Sequence, residues 1–505
     1  MVSGIPREVL EVVGKLEKAG FDAYVVGGCV RDLLLGREPE DWDVTTNAKP
    51  EEVQKIFPES FYENKFFTVT VQTQSENPKL KGIEVTTYRS DHKYTDRRRP
   101  EEVKYAKTID EDLSRRDFTV NAIALGFHEA RSMKHETAKE EGFMLQASGF
   151  MIVDPFEGQK DLKRKIIRAV GNPEERFAED ALRMMRAARL ATVLNFTIEE
   201  KTRKAIQEKS ALLKEISKER VRDELVKIIM AARAREGIEL LYELKLLQYS
   251  MPELEEGYGV QQNKHHKYTV WEHNLFSLEY AAKQQWNLAV RVAALLHDVA
   301  KPRVKEGEGS DATFYNHEVV GASMAKQILT RLKFPGKDIE KIIKLIRYHM
   351  FYYNVDEVTE SSVRRLVRKI GAENIENLLQ LRMADRIGSG VPKAQPYKLR
   401  HWQYMIERVS RDPLSVTMLN IKGDDILKLL GISPGPRVGW FLHVLFGEVL
   451  DDPKKNDKAY LEGRLKELHK LSDEELQKFA KKVKEEMERV EAAADESVKQ
   501  KYFVK

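Results

Sequence analysis

Two aspartates two positions apart, Asp41 and Asp43, follow a Gly27-Gly28 pair in the stretch YVVGGCVRDLLLGREPEDWDVTTN. Side chains alternate along a strand, so residues two apart share a face. Two carboxylates on one face suit Mg²⁺. The bare backbone N–H groups of a glycine turn at a helix start suit the phosphates that such an ion bridges. The elements that must position them can be read locally. Tyr24-Val25-Val26 forms an apolar strand that ends at the glycines. Val30, Leu33 and Leu34 mark one face of the helix that follows, and a second strand carries Asp41 and Asp43. Either signal alone is an ordinary turn or strand end; in this order they describe a nucleotide site. Cys29, the single cysteine, excludes an intramolecular disulfide and a thiolate zinc site. It reads as a small residue filling the turn, without a His partner nearby in sequence.

A short helix is predicted from Pro50 to Phe57, then strands over Phe66–Thr73 and Ile83–Tyr88. On the latter, Glu84, Thr86 and Tyr88 share one face and Ile83, Val85 and Thr87 the other. Glu84 is therefore either a third carboxylate beside Asp41 and Asp43 or an exposed strand charge. Residues 89–103, polar, charged and closed by Pro100, read as a mobile loop. In DLSRRDFTVNA, Asp112 to Ala122, the polar members are Arg115, Arg116, Asp117 and Asn121. Arg116 could donate to a phosphate and Asp117 accept from a ribose hydroxyl; the plainer reading is a helix start with a charged first turn.

From about residue 159 the pattern turns helical. In RFAEDALRMMRAARLA, Arg176 to Ala191, the residues Phe177, Ala181, Leu182 and Met185 form an apolar stripe. Asp180 and Arg183 stand three apart and are expected to face the same way. They are either an ion pair worth a few tenths of a kcal/mol or a protein template for a base. Cytosine and adenine both present an amine beside a ring-nitrogen acceptor; Asp180 could accept from the first and Arg183 donate to the second. Uracil and guanine would leave both groups unpaired. Arg183, Arg186 and Arg189 recur every third residue, a stripe that could track a phosphate backbone.

GGCVRDLLLG followed by DWDVTTNA resembles the nucleotidyltransferase signature of the polymerase β superfamily, in its class II tRNA nucleotidyltransferase and bacterial poly(A) polymerase branch. DLSRRDFTVNA is similar to the family's second motif, DPFEG (Asp154–Gly158) to a further one, EDALR to its EDxxR template motif, and ERVRDEL (Glu219–Leu225) to a bracing motif of the neck. The resemblance implies two-metal nucleotidyl transfer to the 3′-hydroxyl of a tRNA acceptor end from CTP and ATP. It implies Mg²⁺ on Asp41 and Asp43, with a third acidic group on a neighbouring strand. Phosphate, ribose and base would be held by Gly27, Gly28, Arg31, Arg116, Asp117, Asn121, Asp180, Arg183 and Arg186. The family's flexible loop corresponds to residues 89–103, and its full length argues against an enzyme adding only the two cytidines. Residues 127–150 exceed the family's usual length and read as a hairpin insertion, with His128 and His135 on its surface.

A second constellation is made of histidines: His273 at a helix start, His297-Asp298 in ALLHDVAKP, His317, His349 and Asp385. One His on a helix is usually core or surface. The ordered set H…HD…H…H…D resembles a metal-dependent HD phosphohydrolase domain. Imidazole and carboxylate together suit Mn²⁺, Ni²⁺, Mg²⁺ or Fe. The resemblance makes His273, His297, Asp298 and Asp385 the core ligands, and His317 and His349 phosphate contacts or ligands of a second metal.

With 505 residues the chain exceeds one core. Its 85 Lys and Arg nearly cancel 81 Asp and Glu, for a net charge of +4, so an RNA surface must come from local clustering. No apolar run is long enough to span a membrane and no signal-peptide pattern opens the chain, which points to the cytoplasm. The expected architecture is an α+β, polymerase β-like head with a mixed sheet over 1–158, a helical neck over 159–235, a helical HD body over 236–400 and a helical tail over 401–505. In the tail, Pro434-Gly435-Pro436 marks a turn between helices, and Ser472 with Glu475 forms a capping box before a long helix ending near Lys499. The reading is a tRNA nucleotidyltransferase that builds or repairs the 3′ CCA end, with a second phosphohydrolase site. Three rivals share motifs with it: an A-adding enzyme, a bacterial poly(A) polymerase, and an HD phosphohydrolase with a degenerate head.

Overall fold

The computed structural model describes residues 4–63, 67–94, 100–127, 150–263, 267–350, 359–410 and 416–502. Arg97, Arg98, Arg99, His128 and His135 lie outside the described residues, as does nearly all of the expected insertion.

The head is built on a seven-stranded mixed sheet. Its strands are β1 (Ala23–Val26), β2 (Asp43–Thr46), β3 (Ser60–Glu63), β4 (Thr68–Gln72), β5 (Gly82–Thr87), then, after a separate hairpin of β6 (Arg89–Tyr94) and β7 (Pro100–Tyr105), β8 (Ala124–Phe127) and β9 (Phe150–Val153). The order across the sheet is β3-β4-β5-β2-β1-β8-β9. Only β2 and β5 run parallel; the other neighbours are antiparallel. Ala23, Val25, Val26 and Val44 are fully buried, so the strands that start and end at the glycine turn lie in the middle of the core. The helix α1 (Arg7–Lys18) closes one face with Val9, Val12, Val13 and Leu16, the 3–4 spacing of a single apolar stripe. The helix α2 (Gly28–Leu34) follows the glycines directly.

Residues 89–103, read above as a mobile loop, instead carry paired antiparallel strands, Arg89–Tyr94 and Pro100–Tyr105, with Arg89 opposite Tyr105 and Tyr94 opposite Pro100. Their sequence is polar and has no hydrophobic alternation to betray a strand. Strand β3 also escaped the sequence reading.

Two compact units divide the chain: residues 1–349 with 377–392, and residues 350–376 with 393–505. The first contains the head, the neck helices and every residue of the histidine constellation. Residues 350–376, assigned above to the HD body, fall in the second. That unit packs its helices around Ile426, Phe441, Leu445, Leu461, Leu465 and Leu476. Its helix Asp473–Tyr502 starts at the expected capping box: Ser472 N–H donates to Glu475 at 3.0 Å and Glu475 N–H to Ser472 Oγ at 3.3 Å. Among the described residues no helix is long and apolar enough to cross a membrane.

Candidate functional site

The parallel register of β2 and β5 places Asp43 beside Glu84. Both line a cleft of about 260 Å³ with Thr68, Thr86, Arg89, Arg115 and Arg116. Asp41 is not on the strand, contrary to expectation. β2 begins only at Asp43, because the chain is still bending through Glu40 and Asp41, and Asp41 is exposed. Burial pushes the Asp43 carboxyl up; Arg116 opposes this, and the negative charges of Asp41 and Glu84 add to it, leaving Asp43 at about 6. Asp43 and Glu84 line this cleft and Asp41 adds its charge from outside the lining, so like charges concentrate there.

Gly27 takes φ +88°, a conformation that side chains avoid. A Cβ there would stand 2.8 Å from Arg116 Nη1 and 3.7 Å from Asp43 Oδ2. The glycine thus lets the backbone approach the cation and the carboxylate together. Arg31 lies against Gly28 and donates to Asn121 Oδ1 at 2.7 Å and to Asp32 at 2.8 and 2.9 Å. Cys29 is buried, its Sγ 3.3 Å from the Val26 carbonyl, and burial pushes its thiol up to about 12. It is an inert filler of the turn, as read.

The segment 112–121 connects the cleft to the neck. Asp112, fully buried, accepts from Arg115 at 2.8 and 2.9 Å and from Arg89 N–H at 3.3 Å. Burial raises its carboxyl, but Arg115 and Arg116 outweigh that and hold it below the usual range. Asp117 accepts from Phe118 N–H, from Asn121 Nδ2 at 3.0 Å and from Arg186 Nε at 2.7 Å. Again burial raises the carboxyl, and Arg186 with Asn121 outweighs it and holds it well below its ordinary value.

The template pair requires a second correction. Asp180 and Arg183 do not share one helix. Pro173–Glu179 ends at Asp180, whose backbone is extended, and a new helix runs from Leu182 to Leu194. Helical periodicity continues through the break, which hid it. Arg183 N–H donates to the Asp180 carbonyl at 3.0 Å, and the two side chains have separate partners as well. Arg220 grips Asp180 with both terminal nitrogens, at 2.7 and 3.3 Å. Arg183 donates to Glu179 at 2.6 Å and to the Arg115 carbonyl at 3.1 Å. That last bond sets Arg183 against the cleft segment. Arg186 is held by Asp117 and Arg189 by Glu224 at 2.6 Å. The arginine stripe is therefore committed to acids of the protein rather than presented as a bare cationic track.

The histidine constellation is brought together in a buried cluster. His273 sits on Val270–Lys283, a helix started by the Thr269–Glu272 capping box; His297 caps Leu288–Leu296; His317 opens His317–Arg331; His349 follows Gly336–Tyr348; and Asp385 lies on Ile375–Gly388. His273 Nε2 is 2.9 Å from His297 Nε2, 3.0 Å from Asp298 Oδ2 and 3.5 Å from Asp385 Oδ1. His297 Nδ1 is 2.9 Å from the Ala294 carbonyl. A carbonyl can only accept, so Nδ1 carries a proton, and Nε2 is the nitrogen that faces the cluster. Two groups of donor atoms are compact enough to hold an ion: His273 with His297 and Asp298, and Asp298 with His317 and His349.

Sequence reasoning missed three supports. Arg220 lies forty residues from Asp180. Lys301 donates to Asp298 Oδ2 and to Gln262 Oε1, both at 2.6 Å; its place three residues after Asp298 was the available signal. Gly388 brings its helix against that of His273. A Cβ at 388 would come within 2.8 Å of the His273 carbonyl.

The sequence matches three family models: the poly A polymerase head domain over residues 23–168, a probable RNA- and SrmB-binding site of polymerase A over 195–257, and the HD domain over 270–388. It is 33% identical over 460 residues to a CCA-adding enzyme of Lactobacillus delbrueckii subsp. bulgaricus, covering 91% of this chain and 97% of that one. It is 37% identical over 352 residues to an A-adding tRNA nucleotidyltransferase of Deinococcus radiodurans, covering 67% and 74%. With a CCA-adding enzyme of Lactobacillus helveticus the identity is 44% over 240 residues, and the match spans 54% of that relative's length. The crystal structure of the Bacillus stearothermophilus CCA-adding enzyme in complex with CTP is similar, with a TM-score of 0.56 and 28% identity over 91% of this chain and 96% of that one.

Proposed function

The chain belongs to the class II tRNA nucleotidyltransferase family of CCA-adding enzymes, with an HD domain, and from that premise we propose that it builds or repairs the 3′-terminal CCA of tRNA from CTP and ATP. The observation that carries this reading is the cleft in which Asp43 and Glu84 stand side by side, with Gly27 and Arg116 in contact range and Arg183 bonded to the adjoining segment. Asp41, Asp43 and Glu84 would hold Mg²⁺. Bound there, Mg²⁺ supplies a lowered pKa for the attacking 3′-hydroxyl and neutralisation of the triphosphate and leaving pyrophosphate. Gly27 and Gly28 offer backbone N–H groups to the phosphates, and Arg31 and Arg116 offer guanidinium donors. Asp117, fixed by Arg186 and Asn121, accepts from the ribose. Asp180, oriented by Arg220, accepts the exocyclic amine of cytosine or adenine while Arg183 donates to the ring nitrogen, so UTP and GTP are refused. The RNA is held by shape and backbone charge, in a cytoplasmic enzyme.

The HD body carries a second reaction in this proposal, hydrolysis of phosphate esters such as 2′,3′-cyclic phosphates. His273, His297, Asp298 and Asp385 would hold a divalent metal, Mn²⁺, Ni²⁺, Mg²⁺ or Fe, which when bound supplies polarisation of the phosphate and activation of water. The buried Asp298 Oδ1 and His317 Nε2, which make no hydrogen bond, fit such an ion.

The likeness to the Deinococcus radiodurans A-adding enzyme favours a second reading, addition of the terminal adenosine alone. The test is incorporation of labelled CTP and ATP on tRNAs ending before the first C, after CC and after CCA. Extension of the first substrate by C, C and A supports the proposal. Extension only of the CC-ended tRNA supports A-addition, and long adenosine tails would mean a poly(A) polymerase.

A further inference from the structure

We infer that Asp112 is a positioning residue for nucleotide addition: its buried carboxylate keeps the Arg116 guanidinium in the head cleft and off Asp43. The arginine then stays available to a triphosphate and the aspartate to a metal. This rests on the nucleotidyl-transfer reading of the cleft. Three arginines line that cleft, Arg89, Arg115 and Arg116. Their segments converge on Asp112, which solvent does not reach.

The two oxygens of Asp112 are used differently. Oδ1 accepts from Arg115 Nε at 2.9 Å, from Arg115 Nη2 at 2.8 Å and from the Arg89 N–H at 3.3 Å. Those bonds occupy two of the Arg115 nitrogens and fix the start of β6. Oδ2 accepts from Thr45 Oγ1 at 3.4 Å and faces Arg116 Nη2 at 3.6 Å. The second separation is too long for a hydrogen bond but short enough for an ion pair. Arg116 is thus held by charge. Among the described residues its side chain donates no hydrogen bond, and its Nε is buried without one. A guanidinium presents a planar fork of donors that matches phosphate oxygens, and Arg116 keeps that fork unspent while Arg115 does not.

A second acid lies within reach of Arg116. A Cβ at Gly27 would stand 2.8 Å from Arg116 Nη1 and 3.7 Å from Asp43 Oδ2, so guanidinium and carboxylate flank one point of backbone. Among the described residues, Arg116 nevertheless pairs with Asp112 and not with Asp43. The physical reason is burial. Asp112 is sealed, so its attraction is screened less than that of the half-buried Asp43 at the open cleft. Thr45 stands two residues along β2 from Asp43 and so shares its face; one strand sets the places of both acids. Without the Asp112 charge, the guanidinium would turn to the nearest remaining carboxylate, because a charge left unpaired beside a buried acid's place is costly. An Asp43 neutralised in that way competes poorly for Mg²⁺.

The test is calorimetric binding of CTP to the full chain, without added divalent cation and then across a Mg²⁺ titration. Asp112→Asn keeps the shape and removes the charge. It should weaken metal-free CTP binding by about tenfold, the worth of one charge-assisted hydrogen bond, and raise the Mg²⁺ concentration for half-maximal CTP binding by about as much. In an Arg116→Gln background the same substitution should move that Mg²⁺ midpoint by less than about twofold, a non-additivity that a merely structural role does not produce. An unchanged midpoint in Asp112→Asn, or equal shifts in both backgrounds, would overturn the assignment and leave the nucleotidyl-transfer reading standing. A wild type that binds no CTP with Mg²⁺ would overturn both. Should Asp112→Asn lack a single melting transition above the assay temperature, a structure of the wild type with CTP and Ca²⁺ decides. Arg116 on a phosphate with Asp112 still facing it supports the assignment; Arg116 paired with Asp43 overturns it.

Discussion

The head cleft and the buried HD cluster both gather carboxylates, yet they are opposite in construction. In the head, Asp43 and Glu84 sit on neighbouring strands at an open cleft, with like charges side by side. In the HD body the acids are sealed, each faces a cationic group or an imidazole, and three imidazoles are locked by backbone carbonyls. A site of the first kind is open to an incoming ligand, whereas one of the second kind is preorganised by its surroundings. The same residue types thus make an exposed and a sealed donor set, and burial with orientation separates them.

That contrast can be broken at several points. Its largest expected consequence is in the head: Asp43→Ala should lower nucleotide addition by on the order of 10³-fold, several kcal/mol of lost charge stabilisation, while HD metal content by elemental analysis stays the same. Loss of both would mean that the two sites are not independent. His297→Ala should do the reverse, weakening HD metal affinity by more than ~100-fold in a chelator competition and changing CTP incorporation by less than about threefold. Next, Arg183→Ala should cost on the order of 10² in discrimination between CTP and UTP, read as the ratio of kcat/KM values. If selectivity survived, the base would be read elsewhere.

Gly388→Ala sharpens the role of orientation. The added methyl meets the His273 carbonyl, so overpacking should cost about 1–3 kcal/mol of stability and weaken HD metal binding, with incorporation by the head spared. The smallest effect is one of pH. Asp43 is raised to about 6, so its carboxyl takes up a proton as pH falls through that value. Mg²⁺ affinity of the head should rise between about pH 5 and 7, and binding at pH 6 should release about half a proton, measurable by calorimetry in buffers of different ionisation enthalpy. Affinity flat across that range would remove Asp43 from the metal site.

Local pattern carried some of this further than the rest. The strand–glycine–helix–strand order around Gly27, the alternation that put Glu84 with Thr86, and the capping box at Ser472 were legible, because each depends on residues within one turn or one strand. The break at Asp180 was not, since apolar residues keep helical spacing on both sides of it. The paired strands Arg89–Tyr94 and Pro100–Tyr105 were read as a loop because their sequence lacks apolar alternation. Asp41 was placed on a strand that starts two residues later, where only the hydrogen-bonded register sets the boundary.

The amino-acid sequence by itself determined the donor inventory and the elements that bear it: acids after a glycine turn, and imidazoles with aspartates at helix starts and ends. Only the tertiary structure decided which donors meet. The register of β2 on β5 chose Glu84 as the neighbour of Asp43, Arg220 crossed forty residues to Asp180, and the helix of Gly388 closed on that of His273. Backbone carbonyls then fixed which imidazole nitrogen keeps its proton. Electrostatics acts through space and falls with distance, so a charge's partner is set by which helices and strands pack together, a quantity that spacing along the chain does not contain.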